Sequence, residues 1–186
     1  MTLVRRTAPF ILSHNGTTAE ISDDQTFCNA CGTISYVGEQ IGVHERAVAA
    51  RIREIEGLLS AEELRNIRLK YGFRQTDMEA MLSIGPKTWT RWERGKIPQN
   101  KAADTLIRIL GDDPDVAQRL MHRACIENAA ADEVFSAIDR AVKQRAEARL
   151  VSELGIQAAS VDLHEVASRA VAAVREARFS PVGVAA

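Results

Sequence analysis

The sequence lacks several features that would assign it to a particular class of protein. Its 186 residues include only three cysteines, and this odd number argues against a framework built wholly of disulfides. No apolar run approaches the length that spans a bilayer. Arg5 and Arg6 are not followed by the apolar stretch of a signal peptide. We therefore expect a cytoplasmic protein with no membrane partner.

Motifs typical of enzymes are missing as well. The sequence contains no glycine-rich phosphate-binding loop and no nucleophile elbow. No histidine is paired with carboxylates at a catalytic spacing. We expect that the chain is not an enzyme.

Charge is distributed unevenly, although the formal net charge is only −1. Residues 60–110 carry 10 basic and 6 acidic side chains, a net charge of +4. The flanking segments are acidic, with a net charge of −2 over residues 1–59 and −3 over residues 111–186. A basic block between two acidic ones is typical of a nucleic-acid-binding module with neighbours that do other work.

The N-terminal part has the pattern of short β-strands followed by a helix. Asn15-Gly16 fits the type I′ turn of a hairpin, and apolar residues lie on both sides of it. Two further strands are predicted at 26–28 and 33–37. From His44 to Leu59, apolar residues recur at helical spacing, which predicts a linking helix.

Residues 60–110 predict four helices. Ser60 and Glu63 form a capping box for the first, which ends at Gly72. The second runs from about Arg74 to Leu82 and the third from Pro86 to Arg94, with a three-residue turn between them. The fourth helix spans 100–110, and three more are predicted at about 114–128, 131–154 and 160–179.

The predicted fold is therefore mostly α with a small β-rich N-terminal domain. A helix-turn-helix domain of the five-helix type follows, and then a helical C-terminal extension. The predicted ranges are 1–43 for the β-rich domain, 44–59 for the linking helix, 60–111 for the helix-turn-helix domain, 112–179 for the extension and 180–186 for a tail.

The succession of helix, short turn and helix is what a helix-turn-helix requires, because the second helix presents its N-terminal residues to the major groove. Trp89 and Trp92 are three residues apart and predict the buried side of that helix. Lys87, Thr88 and Arg91 then lie on its exposed side, where long basic side chains read guanine. The same pattern also fits an ordinary surface helix.

Particular residues make this segment resemble one class. The string Thr88-Trp89-Thr90-Arg91-Trp92-Glu93-Arg94-Gly95-Lys96, preceded by Phe73 and Gln75, resembles the XRE class of helix-turn-helix domains, the relatives of lambda repressor and Cro. The resemblance implies a structural pair between Glu93 and Arg68 beside the two tryptophans. It implies base contacts from Lys87, Thr88 and Arg91, and phosphate contacts from Arg74, Gln75, Thr90 and Lys96.

A longer span, from about Arg6 to Asp113, is similar to the MqsA family of antitoxins and related zinc-ribbon regulators. That family implies a β-rich domain with a four-cysteine zinc site, a linking helix, and an XRE domain that dimerises and represses its own operon. Cys28-Asn29-Ala30-Cys31-Gly32 lies where the second half of the zinc site belongs, but no cysteine precedes Cys28. Glu79 and Ser83 replace the small alanine and the turn glycine usual in XRE domains.

Cys28 and Cys31 supply two of the four ligands that a structural zinc site needs. His44 follows at a zinc-finger spacing, but the position of a fourth ligand holds no histidine. Three interpretations of the pair stay open: a zinc site, a remnant loop of a β-domain, and a redox pair of the thioredoxin type.

Three functions fit these patterns. The resemblance favours an antitoxin that binds a toxin protein and, as a homodimer on double-stranded operator DNA, represses its own operon. The first alternative is a phage- or plasmid-type repressor without a toxin. The second is a protein-interaction adaptor that has lost DNA binding.

Overall fold

The computed structural model describes residues 2–154 and 162–179. The chain divides into two compact units, Met1–Asn128 and Ala129–Ala186. The described residues form three strands and eight helices. These are β1 (Leu3–His14), β2 (Thr17–Cys28), β3 (Ile34–Ser35), α1 (Glu39–Glu56), α2 (Ala61–Lys70), α3 (Gln75–Met81), α4 (Thr88–Glu93), α5 (Lys101–Asp112), α6 (Pro114–Arg123), α7 (Ala129–Leu154) and α8 (Leu163–Phe179).

β1 and β2 form a long antiparallel hairpin, and β3 pairs with the other edge of β2. The turn is the predicted one: Asn15 and Gly16 have φ angles of 48° and 79°, as a type I′ turn requires. The separate strand predicted at 26–28 is wrong, because those residues continue β2 and stay paired with the start of β1. The strand predicted at 33–37 is confirmed only at Ile34–Ser35.

α1 packs against β2 and begins five residues before the predicted start at His44. Gln40 stabilises this early start: its side-chain oxygen accepts hydrogen bonds from the Val37 amide (2.9 Å) and from the hydroxyl of Thr26 in β2 (2.8 Å), 14 residues earlier in the chain. At the other end of the helix, Glu56 lies 2.5 Å from Nε2 of His14 beside the hairpin turn. β2 and α1 are therefore antiparallel.

The helices α2 to α6 complete the first unit. The predicted capping box begins α2, with the Glu63 amide donating to Ser60 Oγ at 3.2 Å and the Ser60 amide donating to the Glu63 carboxylate at 2.7 Å. Large side chains from four helices and the α2–α3 turn are fully buried together. They are Leu64, Tyr71, Phe73, Met78, Trp89, Ile107 and Leu110.

The boundary predicted near Pro114 is a corner between two helices inside the first unit. Asp113 ends α5, and its carboxylate accepts hydrogen bonds from the amides of Asp115 and Val116 at the start of α6. α6 then packs on α5 and α3. The first compact unit extends to Asn128, well beyond the 60–111 range predicted for the helix-turn-helix domain.

The second unit is an antiparallel pair of helices over its described residues. Asp139 of α7 pairs with Arg175 of α8 at 2.9 Å, and Glu147 lies 2.7 Å from Nδ1 of His164. No helix of the described residues is both long and apolar enough to cross a membrane. The predicted tail at 180–186 lies outside the described residues.

Candidate nucleic-acid interface

α4 has a buried side and a charged exposed side. Trp89 and Trp92 are 0% and 4% exposed, and their ring centroids lie 5.9 Å apart. Arg91, on the opposite side, is exposed, as is Lys96 just beyond the helix. The Lys96 amide donates to the Arg91 carbonyl at 2.9 Å. The two cations are thus joined by the backbone turn that ends α4.

The start of α4 differs from the prediction. The helix was expected to begin at Pro86, but its first residue is Thr88, which is half-buried. Lys87 precedes the helix in the left-handed conformation, with φ 62°. Lys87 is exposed, but it lies outside the helix, so the helical spacing predicted between Lys87 and Arg91 does not apply.

The Glu93 carboxylate is the centre of a buried hydrogen-bond network. Arg68 Nε donates to Glu93 Oε1 at 2.5 Å, as the resemblance implied, and Trp89 Nε1 donates to the same oxygen at 2.6 Å. Gln75 Nε2 donates to the other oxygen at 2.6 Å. Burial acts to raise the pKa of Glu93, but the hydrogen bonds from Arg68, Gln75 and Trp89 outweigh it and lower the pKa. The network fixes α2, α3 and α4 to one another.

Two of the residues expected to hold phosphates bind each other. The Thr90 hydroxyl donates to Gln75 Oε1 at 2.8 Å, and the amide of the same Gln75 is engaged with Glu93. A third, Arg74, donates to the Asp77 carboxylate and to the Glu127 carbonyl, the latter at 3.0 Å. Its side chain is nevertheless 61% exposed. Of the four predicted phosphate residues, Arg74 and Lys96 present exposed cations.

Glu79 has a role that its unusual identity did not reveal. Its buried carboxylate accepts a hydrogen bond from the Trp89 amide at 3.1 Å, in the first turn of α4. Helix N-termini leave amides without partners inside the helix, and Glu79 satisfies one of them from α3. The only sign of this role in the sequence was a carboxylate at a position where XRE domains usually have alanine.

Ser83, the other departure from the XRE pattern, has φ 53° in the turn between α3 and α4. The backbone conformation that glycine favours is therefore present without glycine.

Cys28 is the last residue of β2, and Cys31 lies in the loop that follows it. Cys28 is buried and Cys31 is exposed, and the Cys31 thiol donates to Thr33 Oγ1 at 3.2 Å. Once the thiol is ionised, the Thr33 side chain and backbone can donate hydrogen bonds to the thiolate, and this lowers the pKa of Cys31. His44, the third ligand considered, instead stacks on Tyr36 with ring centroids 4.4 Å apart. Within the described residues, no three His, Cys, Asp or Glu side chains are grouped to hold a metal ion. A zinc site stays a prediction.

Comparison with known proteins gives the family. The family model for the antitoxin component of bacterial toxin-antitoxin systems, MqsA, matches residues 1–121. The chain belongs to the MqsA antitoxin family. The match covers the sheet, α1 and the helices up to most of α6, whereas the α7–α8 unit lies beyond it. No curated protein matches the chain.

Proposed function

We propose that this antitoxin binds operator DNA through α4 and represses its own operon as a homodimer. The observation that carries the proposal is the two-sided character of α4. Its tryptophans are buried, while Arg91 and the adjacent Lys87 and Lys96 are exposed. Exposed cations on a short helix held by two others are what a recognition helix of the XRE type presents to a major groove.

The Glu93 network also supports the proposal that α4 is a recognition helix. A recognition helix has to be rigid, because base readout depends on hydrogen bonds with narrow geometry. The carboxylate of Glu93 ties α4 to Arg68 of α2 and Gln75 of α3. We therefore assign the structural role to Glu93, Arg68 and the tryptophans, and the direct role on DNA to the exposed cations.

A toxin protein is the second partner of the proposed function. Membership of an antitoxin family implies a toxin, and the β-sheet with α1 lies outside the segment that resembles a helix-turn-helix. We propose that repression requires a dimer, since one short helix buries too little surface for tight specific binding. Half-sites about one helical turn apart are expected in the operator.

The test is a titration of the full chain on the DNA upstream of its own coding sequence, and on a scrambled duplex, at two salt concentrations. Arg91→Ala is expected to cost about 1–3 kcal/mol on the upstream DNA and to flatten the preference at one base pair. Lys96→Ala is expected to weaken both duplexes and lower the salt slope by about one unit.

Arg145→Ala is the matched control, because it removes one exposed cation from α7 in the other compact unit. It is expected to leave both affinities unchanged. If the unchanged chain did not bind the upstream DNA at moderate salt, the repressor function would be refuted and the adaptor favoured. If Arg91→Ala weakened every sequence equally, base readout would have to be reassigned to Lys87 and Thr88.

A further inference from the structure

Arg53 of α1, the helix that packs against β2, is hydrogen-bonded to the end of α4. Its side chain is buried, with 5% exposure. Nη2 donates to the Trp92 carbonyl at 3.0 Å and to the Ile97 carbonyl at 2.7 Å, and Nε donates to Gln99 Oε1 at 3.2 Å. One guanidinium therefore joins the C-terminal end of α4 to both ends of the segment 97–99.

The hydrogen bonds from Arg53 to the Trp92 and Ile97 carbonyls constrain the backbone around Lys96. The last carbonyls of a helix have no partner within it, and basic side chains satisfy them. Trp92, in the last turn of α4, has such a carbonyl, which also accepts a hydrogen bond from the Gly95 amide at 3.0 Å. Ile97 directly follows Lys96 in the chain. Arg53 thus holds the carbonyl of Trp92, four residues before Lys96, and that of Ile97, directly after it. The backbone on both sides of Lys96 is therefore held by one side chain. Burial lowers the pKa of Arg53, but arginine stays protonated in proteins, so its donors persist.

The attachment continues into α5. Gln99 Nε2 donates to the Leu59 carbonyl at 2.8 Å and to Asp104 Oδ1 at 3.0 Å, and the Leu59 amide donates to the same oxygen at 2.8 Å. Gln99 is 2% exposed and Asp104 is 5% exposed. The network thus links α1, the segment after α4 and the start of α5 through buried, mutually satisfied polar groups.

We infer that Arg53 is a positioning residue for DNA binding, which holds Lys96 in place to contact a phosphate. The inference rests on the proposed function and adds to it a residue of the linking helix, outside the segment that resembles a helix-turn-helix. Arg53 is itself buried and acts only through the backbone that it binds.

The experiment measures the salt dependence of binding to the upstream DNA for four full-length chains: unchanged, Arg53→Lys, Lys96→Ala and the double variant. Arg53→Lys keeps the charge but loses the planar fork that reaches three acceptors. It is expected to lower the salt slope by about one unit, as Lys96→Ala does. The double variant should also lose about one unit, because both changes remove the same phosphate contact.

Arg51→Lys is the matched control, since Arg51 lies on the same helix and pairs with Glu54 there; its salt slope should not change. An unchanged slope for a folded Arg53→Lys chain, or a loss of two units in the double variant, would overturn the positioning role. If Arg53→Lys does not fold, Arg53→Gln, which removes the guanidinium without leaving a buried charge, decides by the same criterion. If the unchanged chain shows no salt-dependent binding, the proposed function fails, and the positioning role fails with it.

Discussion

Two buried carboxylates, one in the helical region and one in the sheet, have different numbers of hydrogen-bond partners. Both oxygens of Glu93 accept hydrogen bonds, from side chains of three helices. Asp23, on β2, is 1% exposed. Only its Oδ2 is engaged, by the Tyr36 hydroxyl at 2.5 Å and by Nδ1 of His44 at 3.1 Å. Among the residues described, Asp23 Oδ1 and the nearby Gln25 Oε1 have no partner.

A buried acceptor without a partner costs free energy, whereas a saturated carboxylate organises its surroundings. Burial, with help from the hydrogen bond to Asp23, raises the pKa of Tyr36 to about 12, so the phenol stays a donor at neutral pH. The comparison indicates that the polar groups of the helical region specify one arrangement. The polar groups between β2 and α1 leave two buried acceptors, Asp23 Oδ1 and Gln25 Oε1, without hydrogen-bond partners among the described residues.

The largest difference between the two regions should come from their aromatic cores. Trp92→Ala is expected to destabilise the first unit by about 3–5 kcal/mol, because it removes a buried ring and leaves a cavity. Phe10→Ala, in β1, should cost clearly less, since Phe10 is only half-buried. Chemical denaturation of both variants measures this. Equal losses would show that the two regions are equally well packed.

Replacement of each carboxylate tests the comparison directly. Glu93→Gln is expected to cost about 3 kcal/mol, because Arg68 is left as a partly buried charge without its anionic partner. Asp23→Asn should cost about 1 kcal/mol or less, since asparagine retains an acceptor for Tyr36 and brings a donor to the unsatisfied side. Denaturation midpoints at neutral pH decide the order of the two. A larger loss for Asp23→Asn would reverse the conclusion.

Acid should weaken the helical region. The pKa values of Asp77, Glu93 and Asp104 are all lowered: burial opposes this in each case, and hydrogen bonds from their neighbours outweigh it. A lowered pKa in the folded state adds stability above the unfolded pKa of about 4, and this stability is lost as pH falls through the folded pKa. Melting temperatures measured from pH 7 to pH 2 should therefore fall below about pH 4. Glu93→Gln should show a shallower fall.

The smallest effect concerns residues in the left-handed conformation. The hairpin uses Asn15, which tolerates that conformation, whereas the α3–α4 turn uses Ser83. Ser83→Gly is expected to stabilise the chain by about 0.5–1 kcal/mol, because it relieves the steric cost at Cβ. Asn15→Gly should change stability by less than about 0.5 kcal/mol. Thermal unfolding of the pair tests this, and a destabilised Ser83→Gly chain would contradict it.

Features with a local cause could be predicted from the sequence. The Asn15-Gly16 turn and the Ser60–Glu63 capping box depend on residues at most three positions apart, and both are present. The start of α4 was misplaced because proline is tolerated in a turn as well as in a first helical turn, and sequence spacing does not distinguish these. Arg53 and Glu79 escaped prediction because their partners lie 10 to 46 residues away, and only the folded chain brings them together.

The contacts at the end of the first unit determine where the chain can be truncated. Asn128 Nδ2 donates to the Gly72 carbonyl at 3.0 Å and to Asp77 Oδ2 at 2.7 Å, and Arg74 Nη2 donates to the Glu127 carbonyl. A fragment that stopped at residue 121, where the family match ends, would lose the residues that brace the turn leading into α3. The natural place for a cut is therefore after Asn128.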